Sequence, residues 1–171
     1  LRAEAAVEFG LDPDRPVLLV FGGSLGAQRL NEAIAGSWRD ILEAGGQRLV
    51  FDAGRGTPIN LWRMKIPLGS IDALFVTHFH SDHIGGIPDL WMTSYIPAPY
   101  GRRETPFRVI GPTGTVAMMD HLQQAFAPDA QIRIEDEKIL PESTRIDATE
   151  FGDEGVVWDR GGVVVTAFAV N

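Results

Sequence analysis

The stretch Thr77-His78-Phe79-His80-Ser81-Asp82-His83-Ile84-Gly85-Gly86 decides how the rest of this chain is read. Three of the four histidines fall here, within six positions, with Asp82 among them. Immediately upstream, Ile71-Asp72-Ala73-Leu74-Phe75-Val76 is short, apolar and β-prone, which predicts a buried strand. Downstream, Gly85-Gly86-Ile87-Pro88 predicts a loop running into a helix. The histidines are thereby placed at the C-terminal end of a strand, where open α/β sheets hold their ligands. Residues two apart on an extended chain share a side, so His78 and His80 grip one ion while Phe79 turns into the core. Asp82 and His83 follow where the chain leaves the strand and reach a second, adjacent centre. Imidazole and carboxylate donors suit zinc, as one ion or two, with manganese or iron as substitutes. Such a site activates water for hydrolysis. The plainer alternative is a solvated histidine-rich loop, against which the length of the match and its strand-loop context weigh.

The pattern His-x-His-x-Asp-His, as it stands at 78–83, resembles the signature of the metallo-β-lactamase superfamily. Leu49-Val50-Phe51-Asp52-Ala53-Gly54 is similar to the strand and Asp-x-Gly loop that precede it there. Arg55-Gly56-Thr57 and a helix over 58–65 resemble the ribonuclease Z and arylsulfatase-like branch. The resemblance covers about 42–171 and implies an α/β (α+β) fold, one half of an αββα sandwich. It implies His78, His80, Asp82 and His83 as metal ligands and Asp82 as the catalytic group, with Asp52 and Gly54 behind them. The implied activity is metal-dependent hydrolysis of a phosphodiester or sulfate ester, on a small-molecule or nucleic-acid substrate. Thr166-Ala167-Phe168-Ala169-Val170-Asn171 resembles the strand leading to a further zinc-binding histidine, which predicts a truncated site of weakened metal affinity and low turnover. The second reading is accordingly a non-catalytic, chimeric or designed metal-binding module. Half a sandwich also leaves apolar sheet bare, which predicts a homo-oligomer in which one copy covers another.

A different resemblance occupies the start of the chain. Val17-Leu18-Leu19-Val20-Phe21 is a continuous apolar run, followed by Gly22-Gly23-Ser24-Leu25-Gly26-Ala27 and a helical pattern carrying Leu30 and Ile34. By spacing alone this is neither a P-loop nor a complete G-x-G-x-x-G, and a tight turn without ligand is the simpler reading. The segment Gly-Leu-Asp-Pro-Asp-Arg-Pro, the strand, Gly-Gly-Ser-x-Gly-Ala and Arg-Leu-Asn-Glu-Ala together resemble the C-terminal domain of the MurG-type UDP-N-acetylglucosamine glycosyltransferases. That resemblance implies Gly22, Gly23 and Ser24 beside a nucleotide diphosphate, and it is the basis of a third reading as a UDP-sugar-binding fragment. The expected organisation is a single domain over 1–171, with a grafted helix-strand-turn-helix over 1–40 on a half-fold over 41–171.

Composition bounds these readings. Hydrophobic content of 44% and charged content of 22% suit an ordinary globular protein of 171 residues. A formal net charge of −8 argues against a global electrostatic grip on nucleic acid and leaves only local basic patches. With no cysteine, disulfides and thiolate metal sites are excluded. No apolar run approaches the ~20 residues of a membrane span, and no signal peptide is evident, so the expected location is cytoplasmic.

Further helices are expected over 58–65, with Ile59, Leu61, Trp62 and Ile66 mostly buried, and over 89–95 and 116–126. His121 lies in the last of these and reads as a surface or packing residue. Strands are expected over 47–51, 107–110, 132–134, 145–151, 156–158 and 163–170. The proline-rich segment 96–106 reads as a loop at the rim of the site; Tyr100 and Arg102 sit in it, each more simply solvated than bound to substrate.

Overall fold

The computed structural model describes residues 47–168. The expectations for the glycosyltransferase-like segment, for Gly22, Gly23 and Ser24, and for the last three residues lie outside the described residues.

The chain is a mixed α/β fold built on a parallel sheet. Four strands, β1 (Leu49–Phe51), β2 (Ala73–Phe75), β3 (Phe107–Pro112) and β4 (Ile146–Phe151), lie in sequence order and all run parallel. Parallel neighbours need long crossovers. Helix α1 (Thr57–Arg63) joins β1 to β2, the short α2 (Ser81–Ile84) and α3 (Ile87–Tyr95) join β2 to β3, and α4 (Thr115–Ala125) and α5 (Ala127–Asp136) join β3 to β4. An antiparallel hairpin, β5 (Gly155–Arg160) with β6 (Val163–Ala167), follows.

A parallel sheet is stable when both faces are covered, and the period-two alternation of β2 achieves this. Leu74 and Val76 face the helices, where they join Ile87, Leu90, Trp91, Tyr95, Phe107, Val109 and Met119 in the main core. Ala73 and Phe75 face the other way and meet Ile110 and Trp158. Phe75 stacks on Phe51 at 5.0 Å and takes Trp158 edge-on at 5.8 Å, which ties the hairpin to the sheet. Trp158 Nε1 donates to Gln47 Oε1 at 2.9 Å.

Three local expectations are corrected. Residues 132–134 are not a strand. Ile132 and Ile134 alternate like one, but they belong to α5, which opens with a proline in its first turn. The helix is held by Arg133 reaching Asp129 and Glu137, each four residues away. Phe79 does not enter the core; it is exposed beside Gly114. On α1 the inward residues are Pro58 and Leu61, while Ile59 and Trp62 face outward. His121 is exposed, bonded to the Ala117 carbonyl at 2.7 Å, away from the histidine stretch.

The glycine that begins α4 has no side chain to cap the helix, and a neighbouring strand supplies the cap. Glu150 Oε1, from β4, accepts the Gly114 and Val116 amides at 2.9 and 2.8 Å. A carboxylate there satisfies two free N–H groups and opposes the helix dipole. Glu150→Ala is expected to cost about 1 kcal/mol, a fall of about 2–4 °C in Tm. Thermal denaturation followed by circular dichroism checks this, with Glu150→Gln recovering part of the loss.

Candidate metal centre

The site forms at the C-terminal tips of β1 and β2. The Asp52 amide donates to the Phe75 carbonyl at 2.7 Å, so both strands end level and release their next residues into the same space. Asp52 has φ 58°, a left-handed conformation that Asp tolerates better than most side chains. There its carboxylate turns toward the stretch after β2. Oδ1 accepts the Thr77 amide at 2.8 Å, and Oδ2 accepts both the Thr77 hydroxyl at 2.8 Å and His83 Nδ1 at 2.7 Å. Thr77 Oγ1 in turn lies 3.0 Å from His78 Nδ1. Because the hydroxyl proton is given to Asp52, Oγ1 is left to accept from His78 Nδ1. One carboxylate therefore sets the tautomer of two imidazoles, directly for His83 and through Thr77 for His78. Both present Nε2 outward, which is how carboxylates orient histidine ligands.

The Asp52-Ala53-Gly54 segment is laced to the histidine stretch by backbone as well. Ala53 N–H donates to His83 O, and Gly86 N–H to Ala53 O, each at 2.7 Å. A Cβ at Gly54 would collide with the Asp82 carbonyl, so only glycine permits this approach.

The four residues singled out by the sequence come together as two pairs. His78 Nε2 and His80 Nδ1 are 3.0 Å apart, and His83 Nε2 lies 3.6 Å from Asp82 Oδ2. The His78 and His83 rings stand 4.0 Å apart, centroid to centroid, which joins the pairs into one cluster. Neighbouring donors around a tetrahedral ion with bonds of about 2.0–2.1 Å are separated by roughly 3.3 Å. Both pair distances lie close to that value, so the donor set fits divalent-metal chemistry pair by pair. Among the described residues no group of three or more such side chains converges on a single point. Thr77 is the participant that the motif alone leaves without a role. Its signal is its position, a hydroxyl directly before the first histidine.

The chain is similar in sequence to known proteins. A family described as anti-Pycsar protein Apyc1 matches residues 39–104. Ribonuclease Z of Mycobacterium marinum is 34% identical over 125 residues, which cover 73% of this chain and 44% of that protein. Ribonuclease Z of Mycobacterium avium is 32% identical over 129 residues, covering 73% and 44%. The chain belongs to the metallo-β-lactamase superfamily, in its ribonuclease Z branch.

Among solved structures, human tRNase Z, short form (ELAC1), is 28% identical with a TM-score of 0.39, covering 49% of this chain and 29% of that one. YhfI of Bacillus subtilis, a metallo-β-lactamase fold protein, is 17% identical with a TM-score of 0.44, covering 65% and 37%. This superfamily member spans less than half the length of the ribonuclease Z relatives it matches, 44% for the Mycobacterium marinum protein. No described helix is long and apolar enough to cross a membrane.

Proposed function

We propose that this chain carries the metal-binding part of a hydrolase acting on phosphodiesters, with nucleic acid as the substrate class. The observation that supports this most directly is the Asp52 carboxylate fixing His83 and, through Thr77, His78, with both Nε2 atoms aimed into the cluster shared with His80 and Asp82. A carboxylate behind imidazoles is the usual backing of metal ligands. The relatives' name, ribonuclease Z, supports a phosphodiester over a sulfate ester.

In this reading His78 and His80 would hold one zinc ion, and Asp82 and His83 would hold a second or share the first, with manganese or iron as substitutes. Bound zinc supplies Lewis acidity toward a phosphoryl oxygen. The chain's own residues do the rest. Asp52 and Thr77 hold the imidazoles in one tautomer. Asp82, exposed as His80 is, is placed to accept a proton from an attacking water.

The test combines metal content with turnover. The protein is equilibrated with zinc, dialysed and analysed for metal, then assayed on bis(p-nitrophenyl) phosphate and on a labelled RNA. Retained stoichiometric zinc, lost in His80→Ala together with hydrolysis, supports the reading. Equal zinc and equal rates in the two proteins would overturn it. Zinc retained without hydrolysis would instead favour a metal-binding module that does no chemistry of its own.

A further inference from the structure

Two segments that flank the metal cluster are free of carboxylates in a chain whose formal net charge is −8. Residues 53–71 contain Arg55, Arg63 and Lys65 and no Asp or Glu; residues 90–103 contain Arg102 and Arg103 and again no Asp or Glu. Arg103 is buried, but Arg55, Arg63, Lys65 and Arg102 are exposed, and among the described residues none of the four has a carboxylate within ion-pair distance.

The same surface exposes large apolar side chains. Trp62 is 43% exposed, Tyr100 45% and Ile59 54%. The Trp62 and Tyr100 rings lie 5.0 Å apart at 38°. Their backbones are fixed. Lys65 and Arg102 both take left-handed φ, 59° and 63°, in the turns that follow the two aromatics. The Leu68 amide donates to the Tyr100 carbonyl at 3.1 Å, and the Arg103 guanidinium binds Leu68 O and Ile71 O from below. The two turns are therefore clamped together, and the rings do not collapse into the core.

We propose that Trp62 and Tyr100, with Arg63, Lys65 and Arg102 around them, form a docking platform for an unpaired polynucleotide strand. Aromatic faces that are exposed, preordered and ringed by unpaired cations suit bases that stack and phosphates that need neutralising. A second copy of this chain fits less well, because two such patches would bring six cations without ion-pair partners face to face. Location adds the route. Helix α1 begins next to Gly54, which touches Asp82, and Arg55 lies against Gly85 of the histidine stretch. Five steps of 1.5 Å from Thr57 put Trp62 about 8 Å along the helix from that end. Only that last step, which makes the strand the one presented to the cluster, rests on the hydrolase reading; the binding itself does not.

The experiment uses the full chain carrying His80→Ala, without added metal, so that binding is read apart from hydrolysis. Fluorescence anisotropy with a labelled single-stranded oligouridylate gives the affinity, and quenching of tryptophan emission reports stacking. Trp62→Ala is expected to weaken binding roughly ten-fold or more, and Trp62→Phe to restore most of it. Arg63→Glu with Arg102→Glu is expected to reduce the salt dependence, the slope falling by ~0.7 for each phosphate no longer neutralised. Melting temperatures of these surface variants should match the parent. No measurable binding by the parent, or binding equally strong in Trp62→Ala and in the double charge reversal, would overturn the proposal. So would light scattering that showed a dimer dispersed by Trp62→Ala with oligonucleotide affinity unchanged, since the patch would then belong to a second copy.

Discussion

Replacing Asp52 with alanine is expected to lower zinc affinity by 10–100-fold and to destabilise the metal-free protein by about 1–3 kcal/mol. Both effects follow from the three donors this carboxylate satisfies: the Thr77 amide, the Thr77 hydroxyl and His83 Nδ1. Without it, His83 is free to rotate and to exchange tautomers, and Thr77 loses the acceptor that directs its lone pair to His78. Asp52→Asn separates the contributions. Asparagine tolerates the left-handed backbone and keeps one oxygen acceptor. It removes the charge, however, and its NH2 cannot accept the His83 proton. Asp52→Asn should therefore retain most of the stability and lose most of the affinity gain. Competition with a chromophoric chelator gives the zinc affinity, and thermal melts give the stability. Affinity and Tm both unchanged in Asp52→Ala would mean that Asp52 does not organise the cluster.

Arg103→Ala is expected to cost about 2–4 kcal/mol without altering the metal ligands. Arg103 is 5% exposed and has no carboxylate at hydrogen-bonding distance among the described residues. Its Nε donates to Ser94 Oγ at 3.0 Å, its Nη2 to the carbonyls of Ile71 and Leu68 at 2.7 and 3.3 Å, and its plane lies over Phe107 at 5.0 Å. Truncation takes the guanidinium donor from Ser94 Oγ and Ile71 O, leaves Leu68 O with only the Ile71 amide at 3.3 Å, and opens a hole beside a buried aromatic. Lysine cannot reproduce the planar fork, so Arg103→Lys should recover less than half of the loss. Burial pushes the Arg103 pKa down to about 10, with the Asp72 charge opposing and Arg108 adding to the shift. Because the folded value is lower than the unfolded one, the charge detracts from stability across neutral pH, and relief comes only as pH rises through 10. The stability difference between wild type and Arg103→Ala should therefore be flat between pH 6 and 9 in urea titrations. A variant as stable as wild type would show that the carbonyls find water instead.

The histidine stretch is legible in the sequence because its information is local. A buried β-prone run, a two-residue alternation of imidazoles and a glycine pair all lie within sixteen residues. The same holds for Asp52 and Gly54, which stand directly after a short strand. Three-dimensional facts are less accessible. The residues Thr57-Pro58-Ile59-Asn60-Leu61-Trp62-Arg63 carry apolar side chains on every side, so no stripe tells which of Ile59, Leu61 and Trp62 is covered; the sheet and α3 select Pro58 and Leu61. Ile132-Arg133-Ile134 has the alternation of a strand, and the i,i+4 charges that make it helical extend beyond so short a window. Alternation sends Phe79 opposite to its histidine neighbours and into the core, and the structure does not, because β2 ends at Phe75 and extended geometry no longer governs. Glu150 acting on α4 from 34 residues away leaves no trace in local pattern at all.

The Asp52 lattice has one more consequence. Its hydrogen bonds join two strand tips using protein groups alone, and the aromatic and aliphatic layers beneath it close independently of any ion. In small zinc modules the free energy of capturing the ion is the free energy of folding, and a chelator dismantles both together. Here the strand tips and both core layers are tied by protein groups, so a chelator is expected to leave the far-ultraviolet circular dichroism spectrum unchanged.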